Sequence, residues 1–313
     1  MPSPSHKPYR GRFAPTPSGP LHFGSLVAAV GSYLDARARN GQWLLRVEDI
    51  DPPRELKGAA DDILRTLEAH GFEWDEEVVY QSRRNAAYAD ALARLDVAGL
   101  TYGCACTRKE IADSATRGIE GLVYPGTCRN GLATGRTPRA WRIRVPDGSI
   151  QFDDRIQGPV SQQLGSEIGD FILKRADGLY SYQLAVVVDD ADAGITDIVR
   201  GADLKLSTPR QIYLQHCLGV PTPSYAHLPL ALNRQGDKLS KQNLAKPLDA
   251  ARAAASLADA LRFLGMQPPL DANLADLPSL WQWAIANWDI RQVPTGDTAS
   301  KPDYDDATQA RAI

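Results

Sequence analysis

Apolar and polar positions along the first hundred residues alternate between two periods. A short apolar-rich run, GRFAPT, reads as a strand and is followed by a Pro/Gly-rich turn, PTPSGP. In LHFGSLVAAVGSYLDARARNG, Leu26, Ala29, Val30, Tyr33 and Leu34 fall at helical spacing, and Gly41 stands where that helix would end. QWLLRVEDID then returns to a strand pattern, so the chain opens as strand, helix, strand. DDILRTLEAHGFEWDE reads as an amphipathic helix closed by Gly71, VVYQS as a brief strand, and RRNAAYADALARLDVAG as a helix ending at Gly99. Strands alternating with helices imply a parallel sheet covered by helices.

That rhythm breaks from about Thr101 to Tyr180, where the chain is Cys-bearing and punctuated by Gly and Pro, with AWRIRVP, SIQFDD and DFILKRADGLYSYQ as strand candidates. The stretch is expected to be an inserted antiparallel lobe. Beyond it LAVVVDD reads as a buried central parallel strand with Asp189 and Asp190 at its end, ITDIVRG as a second strand, and Ser207-Thr208-Pro209 as the cap of the helix RQIYLQHCLG. YAHLPLAL leads into a lysine-containing loop, NRQGDKLSKQN, and two helices are expected around residues 248–264 and 278–290. VPTGDTASKPDYDDATQARAI has the composition of turns and disorder. The expected organisation is an α/β Rossmann-type domain in two halves, 1–100 and 183–247, split by an insertion at 101–182 and followed by a helical region at 248–292 and a disordered tail at 293–313.

Composition adds little to this. The chain has 313 residues, 43% of them hydrophobic and 23% charged, with a mean hydropathy of -0.32, which fits a soluble globular protein. No run of sequence has the length and apolarity of a membrane span, so a cytoplasmic location and no membrane partner are expected. Lys plus Arg number 35 against 38 Asp plus Glu, so no global charge announces a polyanion. Residues 1–50 carry six basic and three acidic groups while 51–100 carry six and eleven, so nucleic acid would have to meet a local basic face. Arg129, Arg136, Arg139, Arg142 and Arg144 could form one, or could be solvated surface. Trp281, Ile285 and Trp288 have the spacing of a packed helix face, and Cys217 that of a core thiol.

Chemistry enters with two segments far apart in sequence. PTPSGPLHFGS brings a Gly-rich turn into a helix start, where unpaired N–H groups and the positive end of the helix dipole favour anions, with His22 at the mouth. Lys238-Leu239-Ser240-Lys241 sets two ammonium groups three residues apart, a pattern able to follow charge growing on phosphorus. No GxxxxGK[ST] loop occurs, and no GxGxxG follows the first strand. Separately each segment is weak. Together they resemble the two signatures of class I aminoacyl-tRNA synthetases, and GRFAPTPSGPLHFGSL, LLRVEDIDPPR, YQLAVVVDDADAGITDIVRGADLKLSTPRQIYL and KLSKQN resemble the glutamyl-tRNA synthetase family in that order. Ser25, where the first signature often has a second His, and Gln242, where the second often has Ser, are departures.

The resemblance implies catalytic roles for His22, Lys238 and Lys241. It implies an ATP site including His22, Gly24, Ser25, Lys238, Ser240 and Lys241, with a magnesium ion carried by the nucleotide. For L-glutamate it implies Arg12, Ala14, Thr16, Glu48, Tyr182 and Arg200. An Arg fork suits a carboxylate, although Arg12 and Arg200 read alone would equally be structural ion pairs, and Glu48 a strand-end carboxylate. Too little chain follows the KLSK loop for the helical region with which full-length relatives read an anticodon. A short chain with HFGS and a CxC…YxxxC insertion resembles most the glutamyl-Q tRNA(Asp) synthetase family, which implies glutamate activation without tRNA and transfer to the queuosine base of tRNA(Asp) by a monomer. A compact synthetase charging tRNA(Glu) and a non-catalytic glutamate- or RNA-binding paralogue are the alternatives. Cys104, Cys106 and Cys128 leave a tetrahedral zinc one ligand short, and the resemblance supplies Tyr124 as the fourth. One structural zinc ion is thus expected, against a metal-free Cys-rich turn.

Overall fold

The computed structural model describes residues 8–119, 121–232, 246–269, 271 and 276–300. The first half runs β1 (Arg10–Phe13), α1 (Phe23–Arg37), β2 (Gln42–Val47), α2 (Ala59–Ala69), β3 (Val79–Tyr80) and α3 (Asn85–Val97). Its three strands form a parallel sheet in the order β1-β2-β3, the topology expected from the alternating periods. In α2, Ile63 and Leu67, four residues apart, are buried, while Asp61 and Asp62 occupy the first turn, where the helix dipole favours them. Positive φ angles at Gly71 (76°) and Gly99 (70°) end the turns that follow α2 and α3.

The insertion contains β4 (Thr101–Cys104), α4 (Arg108–Ser114), β5 (Thr116–Gly118), β6 (Gly121–Val123), β7 (Ala140–Ile143), β8 (Ser149–Asp154), β9 (Gly158–Gln163), α5 (Leu164–Glu167) and β10 (Ile172–Lys174). β10, β7 and β4 make one antiparallel sheet, and β5–β6 and β8–β9 pair antiparallel. The insertion is not self-contained. β8 also pairs in parallel with β12 (Ser224–Leu228), through Tyr225 and Asp154, giving the sheet order β11-β12-β8-β9 with β11 at Asp197–Gly201. The Thr196 amide donates to the Arg10 carbonyl at 3.0 Å, which joins this sheet to the first beside β1.

Two expectations fail. The run LAVVVDD is a helix, α6 (Tyr182–Asp192), not a strand. Leu184 to Asp190 are all buried, and α6 packs against α3 and α7 (Thr208–Leu218), so an apolar run covered on every side carries no period that distinguishes strand from helix. Ser181 caps it by accepting from the Leu184 amide at 3.4 Å, and packing overrides the strand preference of three consecutive valines. The tail is also structured further than its composition suggests. After α8 (Ala253–Phe263) and α9 (Leu277–Asn287), Val293 is buried in the main core, and β14 (Thr298–Ser300) pairs in parallel with β13 (Leu230–Leu232). Backbone pairing leaves no apolar signature; residues 301–313 lie outside the described set.

The main core gathers α1, Trp43, Tyr33, Phe72 and Trp281 in a cluster of edge and stacked aromatic pairs. Trp281 lies in it, with Ile285 and Trp288 against it; Trp281 and Ile285 share a face of α9, whereas Trp288 is its extended C-cap and not part of the helix. Gly31 of α1 lets the helix approach Leu228 of β12: a Cβ there would stand 2.7 Å from Leu228 Cδ1, itself fully buried. Gly31→Val is therefore expected to destabilise the fold by about 1–3 kcal/mol, read as a lowered denaturant midpoint at unchanged slope.

Candidate active site and metal centre

His22 is the N-cap of α1. Its ring accepts from the Ser25 amide at 3.3 Å and lies 3.2 Å from Ser25 Oγ, so the serine departing from the family signature is held against the histidine. The turn before it is stitched to neighbouring segments: the Glu48 amide donates to Pro15 O at 2.9 Å and the Leu56 amide to Pro17 O at 3.0 Å. Together they leave a cleft of about 510 Å³ at the carboxyl ends of β1, β11 and β12, lined by Thr16, His22, Gly24, Ser25, Gly201 and Asp203 among others. Clefts at carboxyl strand ends beside a helix N-terminus are where α/β sheets receive nucleotides. Ala14 lies at the exit of β1, partly buried. Lys238, Ser240 and Lys241 lie outside the described residues. The chain on either side of them is placed, however. β13 ends at Leu232, with Leu230 and Ala231 lining the cleft; Pro247 bridges His22, and the Leu248 amide donates to Leu21 O at 2.9 Å.

The glutamate residues implied by resemblance divide into two groups. Arg12, buried at the end of β1, donates from Nε and Nη2 to the carboxylate of Asp190 at 3.1 and 3.2 Å, so that fork is already paired. Arg46 donates to Asp190 at 2.6 Å and to Glu48 at 3.3 Å. Asp189 accepts from Gln81, Arg84 and Tyr88. Asp189 and Asp190 are thus not strand-end caps but buried anions on a helix, held by arginines. Burial opposes ionisation of Asp190, but Arg12 and Arg46 outweigh it and keep the carboxyl below its usual range. Burial pushes Glu48 above its usual range despite Arg46 and Arg12.

Arg200 differs. It is 5% exposed, yet among the described residues it makes no ion pair. Its Nε donates to His227 Nε2 at 3.1 Å and its Nη2 to Thr208 Oγ1 and Gln211 Oε1, both at 2.8 Å, while Nη1 is buried with no hydrogen-bond partner. A buried guanidinium with neutral partners and an unsatisfied donor carries a desolvation cost that an anion would offset. Tyr182, at the start of α6, lies within electrostatic reach of Arg200, Glu48 and Arg12, and burial raises its phenol. The structure therefore draws Arg12, Glu48, Tyr182 and Arg200 into one interior region, joined to the His22 turn through the Glu48 amide.

The cysteines converge as their spacing suggests. The three Sγ atoms of Cys104, Cys106 and Cys128 lie within 4.8 Å of one another, and Tyr124 Oη lies 3.4 Å from Cys104 Sγ and 3.5 Å from Cys106 Sγ. Four donors on a tetrahedral zinc with Zn–S of about 2.3 Å would be spaced by about 3.8 Å, so this donor set fits a closed structural site. Burial and the surrounding thiols push the Tyr124 phenol up, so a metal would have to displace its proton. The Arg142 guanidinium lies over the Tyr124 ring at 3.8 Å. Cys217 is partly buried against the second core cluster, apart from this site.

Three of the five arginines that could have faced a tRNA are spent within the protein. Arg129 pairs with Asp170 at 2.5 Å, Arg136 with Glu110 at 2.9 Å, and Arg142 is buried and donates to Asp170 O at 2.7 Å. Residues that sequence reasoning missed are Arg46, Asp154 and His227. Arg46 stands two positions before Glu48, which directly follows β2, and the alternation of an extended chain was a usable signal; His227 meets Arg200 only through strand register.

With this geometry in hand, residues 9–276 match the family described as tRNA synthetases class I (E and Q), catalytic domain. The chain is 62% identical over 291 residues to the glutamyl-Q tRNA(Asp) synthetase of Dechloromonas aromatica, covering 92% of this chain and 97% of that one. To the protein of the same name from Chromobacterium violaceum it is 60% identical over 288 residues, with 92% and 96% covered. A crystal structure of glutamate-tRNA synthetase from Elizabethkingia anophelis superposes with a TM-score of 0.78 at 24% identity, over 95% of this chain and 68% of that one, which shows a common fold. Among the described residues no helix is long and apolar enough to cross a membrane.

The thiol–phenol cluster makes a direct prediction. Elemental analysis of dialysed protein is expected to give one zinc per chain; Cys106→Ser should lower its affinity for zinc at least tenfold, and the thermal transition should drop on chelation.

Proposed function

The chain belongs to the glutamyl-Q tRNA(Asp) synthetase family of class I tRNA synthetases and is a ligase; from that premise we propose that it activates L-glutamate with ATP in the absence of tRNA and passes the glutamyl group to the queuosine base of tRNA(Asp). The observation that supports the amino-acid half is Arg200, a buried cation whose Nη1 has no hydrogen-bond partner and which makes no ion pair among the described residues. A dicarboxylic substrate supplies the missing charge, and a hydrogen bond of this charged kind is worth about 1.5–3 kcal/mol. Glu48, fixed by Arg46, is the acceptor for the substrate α-ammonium, with Tyr182 beside it. Arg12, paired to Asp190, contributes its positive field and the shape of the pocket floor. Ala14 and Thr16 frame the entrance at the head of the turn.

ATP takes the cleft at the N-terminus of α1, its phosphates against the helix start near His22, Gly24 and Ser25. The substrate carboxylate attacks the α-phosphorus as its bond to the bridging oxygen breaks, pyrophosphate leaves, and a glutamyl adenylate remains; a magnesium ion carried by the nucleotide would offset phosphate charge. A nucleophile on the modified base then takes the acyl group and releases AMP. Positioning and charge neutralisation carry the first step, so no enzyme nucleophile is required. The lysine-bearing segment leaves and rejoins the described chain at this cleft, which supports Lys238 and Lys241 as the groups that follow charge on the phosphates, with Ser240 between them. The zinc site, held by Cys104, Cys106, Tyr124 and Cys128, orders the insertion and takes no part in the chemistry.

Glutamate-dependent exchange of pyrophosphate into ATP without any tRNA tests the first half, and its absence would overturn the proposal. Labelled glutamate is then expected to enter tRNA(Asp) carrying queuosine and not tRNA(Asp) lacking it; esterification of tRNA(Glu) instead would reassign the acceptor. Lys241→Ala should lower the exchange rate by a factor on the order of 10²–10³.

A further inference from the structure

Arg200 of β11 and His227 of β12 are direct register partners on parallel strands, and Asp154 of β8 adjoins β12 on its other side. All three are buried. Because Arg200 Nε can only donate, the His227 Nε2 that it meets at 3.1 Å must accept, which puts the imidazole proton on Nδ1. Nδ1 in turn lies 2.6 Å from Asp154 Oδ2. The other carboxylate oxygen of Asp154 accepts from the amides of Ile156, Gln157 and His227 at 3.0, 2.8 and 3.2 Å, so the anion cannot turn away. Thr208 Oγ1, which accepts from Arg200 Nη2, also lies 3.2 Å from His227 Nε2 and donates to Leu204 O at 3.3 Å.

We propose that Asp154 and His227 are positioning residues for amino-acid recognition: they lock one edge of the Arg200 guanidinium so that its open Nη1 edge faces the substrate carboxylate. This rests on the reading of Arg200 given above. Burial pushes the His227 imidazole down to about 4, and the nearby cations Arg200 and Lys205 act in the same direction against Asp154, so the ring stays neutral and does not repel the arginine that it orients. Asp154 belongs to the insertion. A strand of the inserted lobe therefore sets the amino-acid site of the α/β domain without touching the substrate.

The two edges of the imidazole can be tested apart. In His227→Asn the amide can still donate to Asp154 but cannot reach Arg200; in His227→Gln it can accept from Arg200 but loses Asp154. Asp154→Asn can donate to Nδ1 and so favours the wrong tautomer, with a proton facing Arg200 Nε. In pyrophosphate exchange, KM for glutamate should rise about 10- to 100-fold in His227→Asn and Asp154→Asn, with KM for ATP unchanged, and His227→Gln should recover most of the loss. Wild-type values of KM for glutamate in the first two variants, or an equal rise for ATP, would overturn the inference. In the wild-type protein, ¹⁵N spectra of His227 should show a protonated Nδ1 and a bare Nε2, an assay that does not depend on any variant folding; the opposite tautomer would also overturn it. Failure of the wild-type protein to exchange pyrophosphate with glutamate would instead count against the glutamate reading itself.

Discussion

A guanidinium taken out of water costs several kcal/mol unless an anion goes with it, and the interior between β1, β2 and α6 takes in two. Arg12 and Arg46 share Asp190, Arg46 also reaches Glu48, and Asp189 on the same helix gathers Arg84, Gln81 and Tyr88 from the other side. These pairs fix how α6 sits against the first sheet, and hence where Tyr182 at its start is presented. Arg200 is not matched in this way: among the described residues this buried guanidinium makes no ion pair, and its Nη1 has no hydrogen-bond partner.

The parallel sheet, the helix that opens on His22 and the cysteine lobe were legible because each rests on local pattern: a period, a cap, a spacing. α6 was not, because a helix buried on all sides by α3 and α7 carries the same apolar run as a central strand. The site was half legible. Family signatures pointed to Arg12, Glu48, Tyr182 and Arg200, and the structure brings them to one region. They could not separate the arginine that is paired from the one that is open, since Asp190 is 178 residues from Arg12 along the chain. His227 was invisible for a similar reason: a histidine inside YAHLPL gains meaning only when strand register sets it opposite Arg200.

The insertion is better described as a graft than as an appended module. β8 extends the second sheet, Arg155 just after it donates to Asp35 of α1 at 2.7 and 2.8 Å, and Asp154 reaches His227. Asp35 also receives Tyr9 and Trp288, so one carboxylate ties the first strand's approach, α1, the insertion and the C-terminal region. The cysteine cluster, a small buried group of its own, can then keep its local order while β8 is continuous with the α/β domain.

The pairing of β14 with β13 puts the last described stretch of backbone alongside the strand that runs into the lysine-bearing segment. Any change that frays this two-strand ladder therefore reaches the cleft directly, because Leu230 and Ala231 belong to both.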